Sequence, residues 1–155
     1  MKVKLKEKHI KRISRLLMVL YLLIVVYFMF FAENFGRTIV SENYRYNLTP
    51  LKEMKRFKSM LKGDMWFQAV VNLAGNVLCF VPIGIVLPIT ANYWKQFHRV
   101  VIFSMTFSLV IEFTQLISKV GSFDVDDIIL NTVGGLTGYI IYYFSRKIYQ
   151  MGDKT

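Results

Sequence analysis

The sequence predicts an all-α membrane protein, in which residues 1–155 form one domain: a bundle of about four transmembrane helices and one short amphipathic interfacial helix. Hydrophobic residues make up 54% of the chain, aromatic residues 15% and charged residues only 19%. This composition is too apolar for a soluble domain of this size. The apolar residues also fall into four long runs separated by basic connections, which indicates a multi-pass protein of the cell membrane.

The chain begins with a basic segment followed by the first apolar run. Residues 1–15 carry seven lysines and arginines, and residues 16–32 contain no charge. The run is longer than the apolar region of a signal peptide, and no Ala-x-Ala-like cleavage site follows it. We therefore expect a basic cytoplasmic tail and an uncleaved first transmembrane helix.

A basic amphipathic helix is predicted over residues 50–62, in the long connection after the first span. Thr49 and Pro50 resemble a helix N-cap with proline at the first helical position. Apolar residues then recur at helical spacing among lysines and arginines. Two interpretations stay open: a solvated helix that covers the bundle, or a helix that lies among lipid headgroups and attracts anionic lipid.

The second predicted span, residues 66–90, contains no charge over 25 residues. As a helix it would be about 37 Å long, which exceeds the ~30 Å hydrocarbon core, so it must be tilted, bent or partly interfacial. Pro82 would supply a bend, and Gly84 weakens the helix further. Asn72 and Asn76 are one turn apart on one face, where each amide can form an interhelical hydrogen bond.

The third and fourth predicted spans, residues 100–117 and 127–144, carry polar side chains within apolar runs. Glu112 and Gln115 share a face of the third span. An ionised carboxylate near the centre of a membrane helix costs roughly 2.5–3.5 kcal/mol, so such a side chain usually faces a protein interior or a watery cavity. One helical stripe at the fourth span holds Asp124, Asp127, Asn131, Gly134 and Gly138. Its two glycines form a G-x-x-x-G motif, which is typical of simple helix packing.

The distribution of positive charge predicts the orientation in the membrane. With four spans, both termini and the 91–99 connection share one side and carry twelve lysines and arginines, and the other side carries eight. This difference favours both termini in the cytoplasm. The polar residues of the spans then fall at the outer leaflet. We predict a functional polar cluster there, formed by Asn72, Asn76, Glu112, Gln115, Asp124, Asp127 and Asn131.

The sequence assigns no catalytic residue and no cofactor. His9 and His98 lie on the predicted cytoplasmic side and the single cysteine, Cys79, lies within an apolar run, so no pair of nucleophile and base is evident. The net charge of +10 comes from segments that flank the spans, which is typical of membrane-surface charge and not of nucleic-acid binding. A metal is an open alternative, because several carboxylates and amide oxygens suit a hard cation. No oligomeric state follows from the sequence.

Four motifs, taken in order along the chain, resemble the signature of the VanZ-like family. They are NLTP at Asn47–Pro50, NVLCFVPIG at Asn76–Gly84, EFTQ at Glu112–Gln115 and DVDDIILNTVGGLTG at Asp124–Gly138. The resemblance spans residues 44–143 and implies a small polytopic membrane protein of Gram-positive bacteria, whose namesake is associated with low-level resistance to teicoplanin and related lipoglycopeptides. Many relatives carry an arginine just before the residue matching Ser122, where this chain has Gly121, so an anion-binding role for that arginine does not carry over.

Two classes of function follow from the residues together with the resemblance. We favour a non-enzymatic binder of a membrane lipid, a lipid-linked cell-wall precursor or a lipoglycopeptide at the outer leaflet. The alternative is a small membrane enzyme or carrier, in which Glu112, Asp124 and Asp127 hold a divalent cation or relay protons to act on a lipid phosphate. A purely structural interpretation also stands, in which the aspartates satisfy free amides at a helix start and Glu112 joins two helices.

The predicted orientation can be tested by cysteine labelling of intact cells in a Cys79→Ala background. A membrane-impermeant maleimide should label Ser122→Cys and miss Ser14→Cys and Lys154→Cys, because the more basic side of the protein stays in the cytoplasm. The opposite labelling pattern would move the polar cluster to the cytoplasmic leaflet.

Overall fold

The computed structural model of the chain describes residues 2–31, 44–52, 55–56 and 66–152. Four long helices dominate these residues, and they are α1 (Lys2–Phe31), α2 (Trp66–Thr90), α3 (Phe97–Ser118) and α4 (Val125–Gly152). Each contains a stretch that is long and apolar enough to cross a membrane. The predicted all-α bundle with four spans is therefore confirmed.

Three of the helices extend beyond the predicted spans. α1 begins within the segment expected to be a basic tail, α3 begins before Val100, and α4 continues past Phe144. Neither the basic segment nor the end of α4 contains a proline, and α4 reaches no glycine between Gly138 and Gly152, so nothing in the sequence breaks these helices. α2 continues through Pro82 and Pro88, which both lie inside the helix.

Contacts between the helices show their relative directions. The glycines of α4 meet α2 in the same order along both helices, because Gly134 faces the carbonyl of Val77 and Gly138 faces that of Val81. α2 and α4 are therefore parallel, and their contact is the most extensive in the bundle. α3 runs in the opposite direction, and the end of α1 joins the end of α3. Both described ends of the chain consequently lie at one end of the bundle, together with the 3-10 turn Asn92–Lys95.

The contact between α2 and α4 depends on glycine. A Cβ atom added at Gly138 would lie 2.0 Å from the carbonyl oxygen of Val81 and 2.9 Å from the Cα of Gly84. A Cβ added at Gly84 would lie 2.1 Å from the carbonyl oxygen of Gly135. The two backbones thus touch directly, at a distance that only residues without side chains permit.

The interior of the bundle is small and its outside is apolar. Phe80, Ile83, Val100 and Ile111 are buried at the centre, whereas many large apolar side chains on all four helices are exposed. In water such a surface would be an aggregation hazard. Within a membrane it faces acyl chains, as the composition predicts.

A short stretch of parallel pairing ties the connection after α1 to the start of α4. β1 (Tyr46–Asn47) pairs with β2 (Phe123–Asp124), and the amide of Phe123 donates to the carbonyl oxygen of Arg45 at 3.1 Å. The helix predicted to begin at Pro50 begins two residues later. Pro50 lies in a turn, and the first helical residue is Lys52. Most of the predicted 50–62 helix lies outside the described residues.

Two alanine substitutions test the close contact between α2 and α4. Gly138→Ala should lower the free energy of unfolding by about 1–3 kcal/mol, because the added methyl group overlaps a backbone carbonyl. Gly75→Ala is the matched control on α2, since nothing lies within 4 Å of a Cβ added there, and it should be neutral or stabilising by about 0.5–1 kcal/mol. Thermal unfolding of the purified protein in detergent measures both. Equal destabilisation by the two variants would contradict the proposed packing.

Candidate functional site

Polar side chains gather where α2 and α4 begin and where α1 and α3 end. We call the group that links these ends the polar cap, and it comprises Asn47, Asn76, Glu112, Asp124, Asp126 and Asp127. Four of these six residues were predicted as members of the functional cluster. Of the other two, Asn47 belongs to the NLTP motif, and Asp126 is not among the predicted site residues.

Asp124 is the central member of the polar cap and directly precedes α4. Its Oδ1 atom accepts a hydrogen bond from the amide of Asp126 at 2.8 Å, which caps the first turn of the helix. The same oxygen accepts from the side-chain amide of Asn47 at 3.0 Å. Asn47 in turn accepts from the amide of Thr49 at 3.2 Å. One carboxylate therefore holds both the helix start and the connection that precedes α2.

Glu112 supports Asp124 from α3. The Glu112 side chain is only 2% exposed, and its Oε2 atom accepts a hydrogen bond from the backbone amide of Asp124 at 2.8 Å. A buried carboxylate without donors would be costly, and a charge-assisted hydrogen bond reduces that cost. Glu112 thus joins the end of α3 to the start of α4.

Asp126 holds the turn that follows β1. Its side chain is 1% exposed and accepts the amide hydrogen of Leu51 at 2.5 Å. Leu51 has a φ of 63°, a left-handed conformation that costs a non-glycine residue roughly 1–2 kcal/mol. The hydrogen bond to Asp126 helps to maintain this conformation. Sequence reasoning missed Asp126 because it falls off the helical stripe through Asp124 and Asp127, and its partner is a backbone group distant in sequence.

Asp127 links α4 to α2. Its carboxylate accepts from the side-chain amide of Asn76 at 2.5 Å, and the pair is only partly buried. Asn72, one turn earlier on α2, is exposed. Asn76 and Asp127 are therefore brought together as expected, and Asn72 lies at the periphery of the cluster.

The two remaining predicted residues connect helices. Gln115 donates from its side-chain amide to the carbonyl oxygen of Met29 at 2.8 Å and so joins α3 to α1. Asn131 is completely buried and donates to the hydroxyl of Ser108 at 2.8 Å, between α4 and α3. Within the described part of the chain, two buried oxygens in this region, Asn131 Oδ1 and Ser104 Oγ, have no hydrogen-bond partner.

Three carboxylates of the polar cap are engaged with the backbone. Glu112, Asp124 and Asp126 accept backbone amides, so these carboxylates serve the fold. Among the described residues, no group of three His, Cys, Asp or Glu side chains could hold a metal ion. His9 lies in the first third of α1 and His98 lies in the first turn of α3, at the opposite end of the bundle. The described residues offer the polar cap no histidine base.

An apolar groove lies directly beside the polar cap. Its volume is about 300 Å³, and it is lined by Tyr46, Leu48, Phe113, Leu116 and Phe123. β1 and β2 place the groove there, because Asn47 stands between two lining residues and Asp124 follows a third. At the same end of the bundle, the ammonium of Lys119 lies 4.9 Å from the ring centre of Tyr44. An apolar slot and polar or charged groups thus meet within a few residues of each other.

The comparisons with known proteins agree with the motifs. The family model described as VanZ/LLP1 matches residues 18–146, a range that includes the whole polar cap. The protein called Protein VanZ from Enterococcus faecium is 29% identical over 142 residues, and the match covers 88% of this chain and 78% of the relative. No solved structure matches the chain.

A double-mutant cycle tests the link between Asn47 and Asp124. Each alanine variant should lower the melting temperature, and the two effects should couple by about 0.5–3 kcal/mol, because each substitution removes the partner of the other. Thr114→Ala is the control, since the Thr114 hydroxyl bonds only to its own helix at Val110; combined with Asn47→Ala it should give additive effects. Additivity for the Asn47 and Asp124 variants would show that this contact contributes nothing.

Proposed function

This chain belongs to the VanZ/LLP1 family, and we propose that it is a non-enzymatic binder, at the outer leaflet, of a ligand that carries a long hydrocarbon chain. The ligand class comprises a membrane lipid, a lipid-linked cell-wall precursor or a lipoglycopeptide. Four apolar helices make the chain a multi-pass membrane protein. Binding at its outer end would change how much of a lipoglycopeptide reaches its target and would confer low-level resistance to teicoplanin.

The observation that carries the proposal is the apolar groove beside the polar cap. A ligand with an acyl chain and a polar head needs one apolar slot and adjacent polar groups. The groove between Tyr46, Phe113 and Phe123 supplies the slot, and the half-buried pair of Asn76 and Asp127 supplies amide and carboxylate groups at the same end of the bundle.

The connection between α1 and α2 makes this site a defined surface. Tyr46 and Leu48 come from that connection, whereas Phe113 and Leu116 come from α3. Asn47, between the first two, is held by Asp124. The carboxylates of the polar cap therefore contribute to binding indirectly, by fixing one wall of the groove. The shape of the apolar groove therefore depends on the buried carboxylates beside it.

Binding without turnover agrees with the charges near the polar cap. Hydrolysis of a lipid phosphate requires an activated nucleophile and positive charge to stabilise the developing negative charge. Three carboxylates are engaged with backbone amides, and Gly121 occupies the position where many relatives of this chain's family have arginine. Lys119, which lies over the ring of Tyr44, is suited to attract an anionic headgroup rather than to activate water.

The proposal predicts that an apolar contact in the groove determines affinity for the acyl chain. Leu116→Gln should weaken binding of teicoplanin to the purified protein by about tenfold, the factor expected when one leucine contact with an acyl chain is lost. Vancomycin, which lacks an acyl chain, should bind weakly to both the unaltered protein and the Leu116→Gln variant. Fluorescence titration or calorimetry in detergent micelles measures the affinities, and adding EDTA should leave them unchanged.

Leu109→Gln is the matched control, because Leu109 is exposed on the same helix and does not line the groove. It should bind teicoplanin like the unaltered protein. Asp127→Asn keeps the shape of the polar cap and removes one charge, so it should weaken binding while membrane abundance stays near normal. Equal losses for the two leucine variants would exclude the groove as the site. Release of a product from a lipid phosphate, stopped by EDTA, would instead establish a metal-dependent enzyme.

A further inference from the structure

A second groove lies at the end of the bundle opposite the polar cap. It has a volume of about 300 Å³ and opens between the turn before α3 and the last turns of α4. Its main lining residues are Lys95, Tyr139, Tyr142, Tyr143, Arg146 and Lys147. We call it the basic groove, because three of these six side chains are cationic and the other three carry phenol hydroxyls.

The walls of the basic groove are held in place by the fold. The hydroxyl of Tyr139 donates to the backbone carbonyl oxygen of Lys95 at 2.7 Å, which fixes the turn against α4. The α4 residues that line the groove recur at i, i+3, i+4, i+7, i+8 and i+11 from Tyr139, so they form one continuous face of the helix. Arg146 lies 3.5 Å from the hydroxyl of Tyr142 on that face.

Positive charge is concentrated at the basic groove. Burial lowers the pKa of the Lys95 ammonium, and the neighbouring Arg146 and Lys11 lower it further. Glu7 acts in the opposite direction but has the smallest effect of the four. Arg99, the other cation near this turn, is directed elsewhere: it donates to the carbonyl oxygen of Tyr93 at 3.0 Å and lies 3.9 Å from the centre of its ring. An anion placed among Lys95, Arg146 and Lys147 would relieve their mutual repulsion.

The basic groove lies at the depth of a lipid headgroup. Val125 begins α4 at the level of the polar cap, and Arg146 lies about 32 Å further along the helix at 1.5 Å per residue. This length matches the ~30 Å hydrocarbon core. Tyrosines are typical of the interface between acyl chains and water, and several of them form this part of α4. A groove with cations at its mouth and aromatic rings along its wall therefore opens where headgroup phosphates lie.

We propose that the basic groove binds the phosphate of an anionic phospholipid in the leaflet next to the chain termini. Lys95 and Arg146 attract the phosphate from two different elements, and the hydroxyls of Tyr142 and Tyr143 offer hydrogen bonds to its oxygens. The site is independent of the groove at the other end of the bundle. It differs from general membrane-surface charge, because Lys95 on the turn before α3 and Arg146 on α4 line the same groove.

Native mass spectrometry of the purified full chain with phosphatidylglycerol or phosphatidylcholine tests this proposal. The protein should prefer phosphatidylglycerol, and the double variant Lys95→Gln with Arg146→Gln should bind it about thirtyfold more weakly, the combined effect expected when two cations near a headgroup are lost. The matched control is Arg12→Gln with Arg15→Gln, which removes the same charge from exposed positions on α1 outside the groove. The control should keep most of the affinity.

Further variants and measurements distinguish a specific lipid site from surface charge and from a free-phosphate site. Lys95→Arg with Arg146→Lys keeps both charges and should retain binding; a loss as large as that of the glutamine variant would overturn the proposal. Equal losses for the groove and control variants would show that surface charge alone attracts the lipid. Displacement of phosphatidylglycerol by millimolar inorganic phosphate would indicate a free-phosphate site, and no preference over phosphatidylcholine would exclude the site altogether.

Discussion

The structure depends on how carboxylates are accommodated within an apolar bundle. Glu112, Asp124 and Asp126 are all buried, and unpaired charges at such positions would cost several kcal/mol. Glu112 and Asp126 each accept a backbone amide from a connecting segment. Asp124 accepts the amide of Asp126 in the first turn of α4 and the side-chain amide of Asn47 in the connection before α2. The carboxylates need donors, and the connecting segments need acceptors for amides that no helix or sheet satisfies. The polar cap meets both requirements at once.

This mutual requirement determines the shape of the end of the bundle that carries the polar cap. The connection between α1 and α2 is held by three links to the start of α4: two-residue strand pairing, Asn47 on Asp124, and Leu51 on Asp126. Because Tyr46 and Leu48 flank Asn47, the same links position one wall of the apolar groove. A loss of charge in the polar cap would therefore disturb a surface that is itself uncharged. The buried polar residues and the apolar groove therefore form one structural unit.

Much of this arrangement could be predicted from the sequence. The four apolar runs and the order of motifs gave the bundle and the family, and the i, i+3 and i+7 spacing brought Asp127 and Asn131 to faces that contact α2 and α3. Asp126 could not be found in this way, because its partner is the amide of Leu51 in a turn with a left-handed residue. Helical periodicity describes which side chains share a face. It does not describe which backbone group a distant connection will present.

The charge pattern of α4 shows how one helix can serve two chemically opposite ends. Asp126 and Asp127 occupy its first turn, where negative charge complements the positive end of the helix dipole, and Arg146 and Lys147 lie towards its other end, where positive charge is favoured. With the orientation predicted from the sequence, the same asymmetry agrees with the rule that basic residues remain in the cytoplasm. Helix stability and membrane orientation thus favour the same distribution of charge. α2 is the main packing partner of α4 and carries no charged residue between Trp66 and Thr90. It therefore does not cancel the charge distribution of α4. The two ends therefore present different ligand chemistry, with carboxylates and an apolar groove at one and cations with phenol groups at the other.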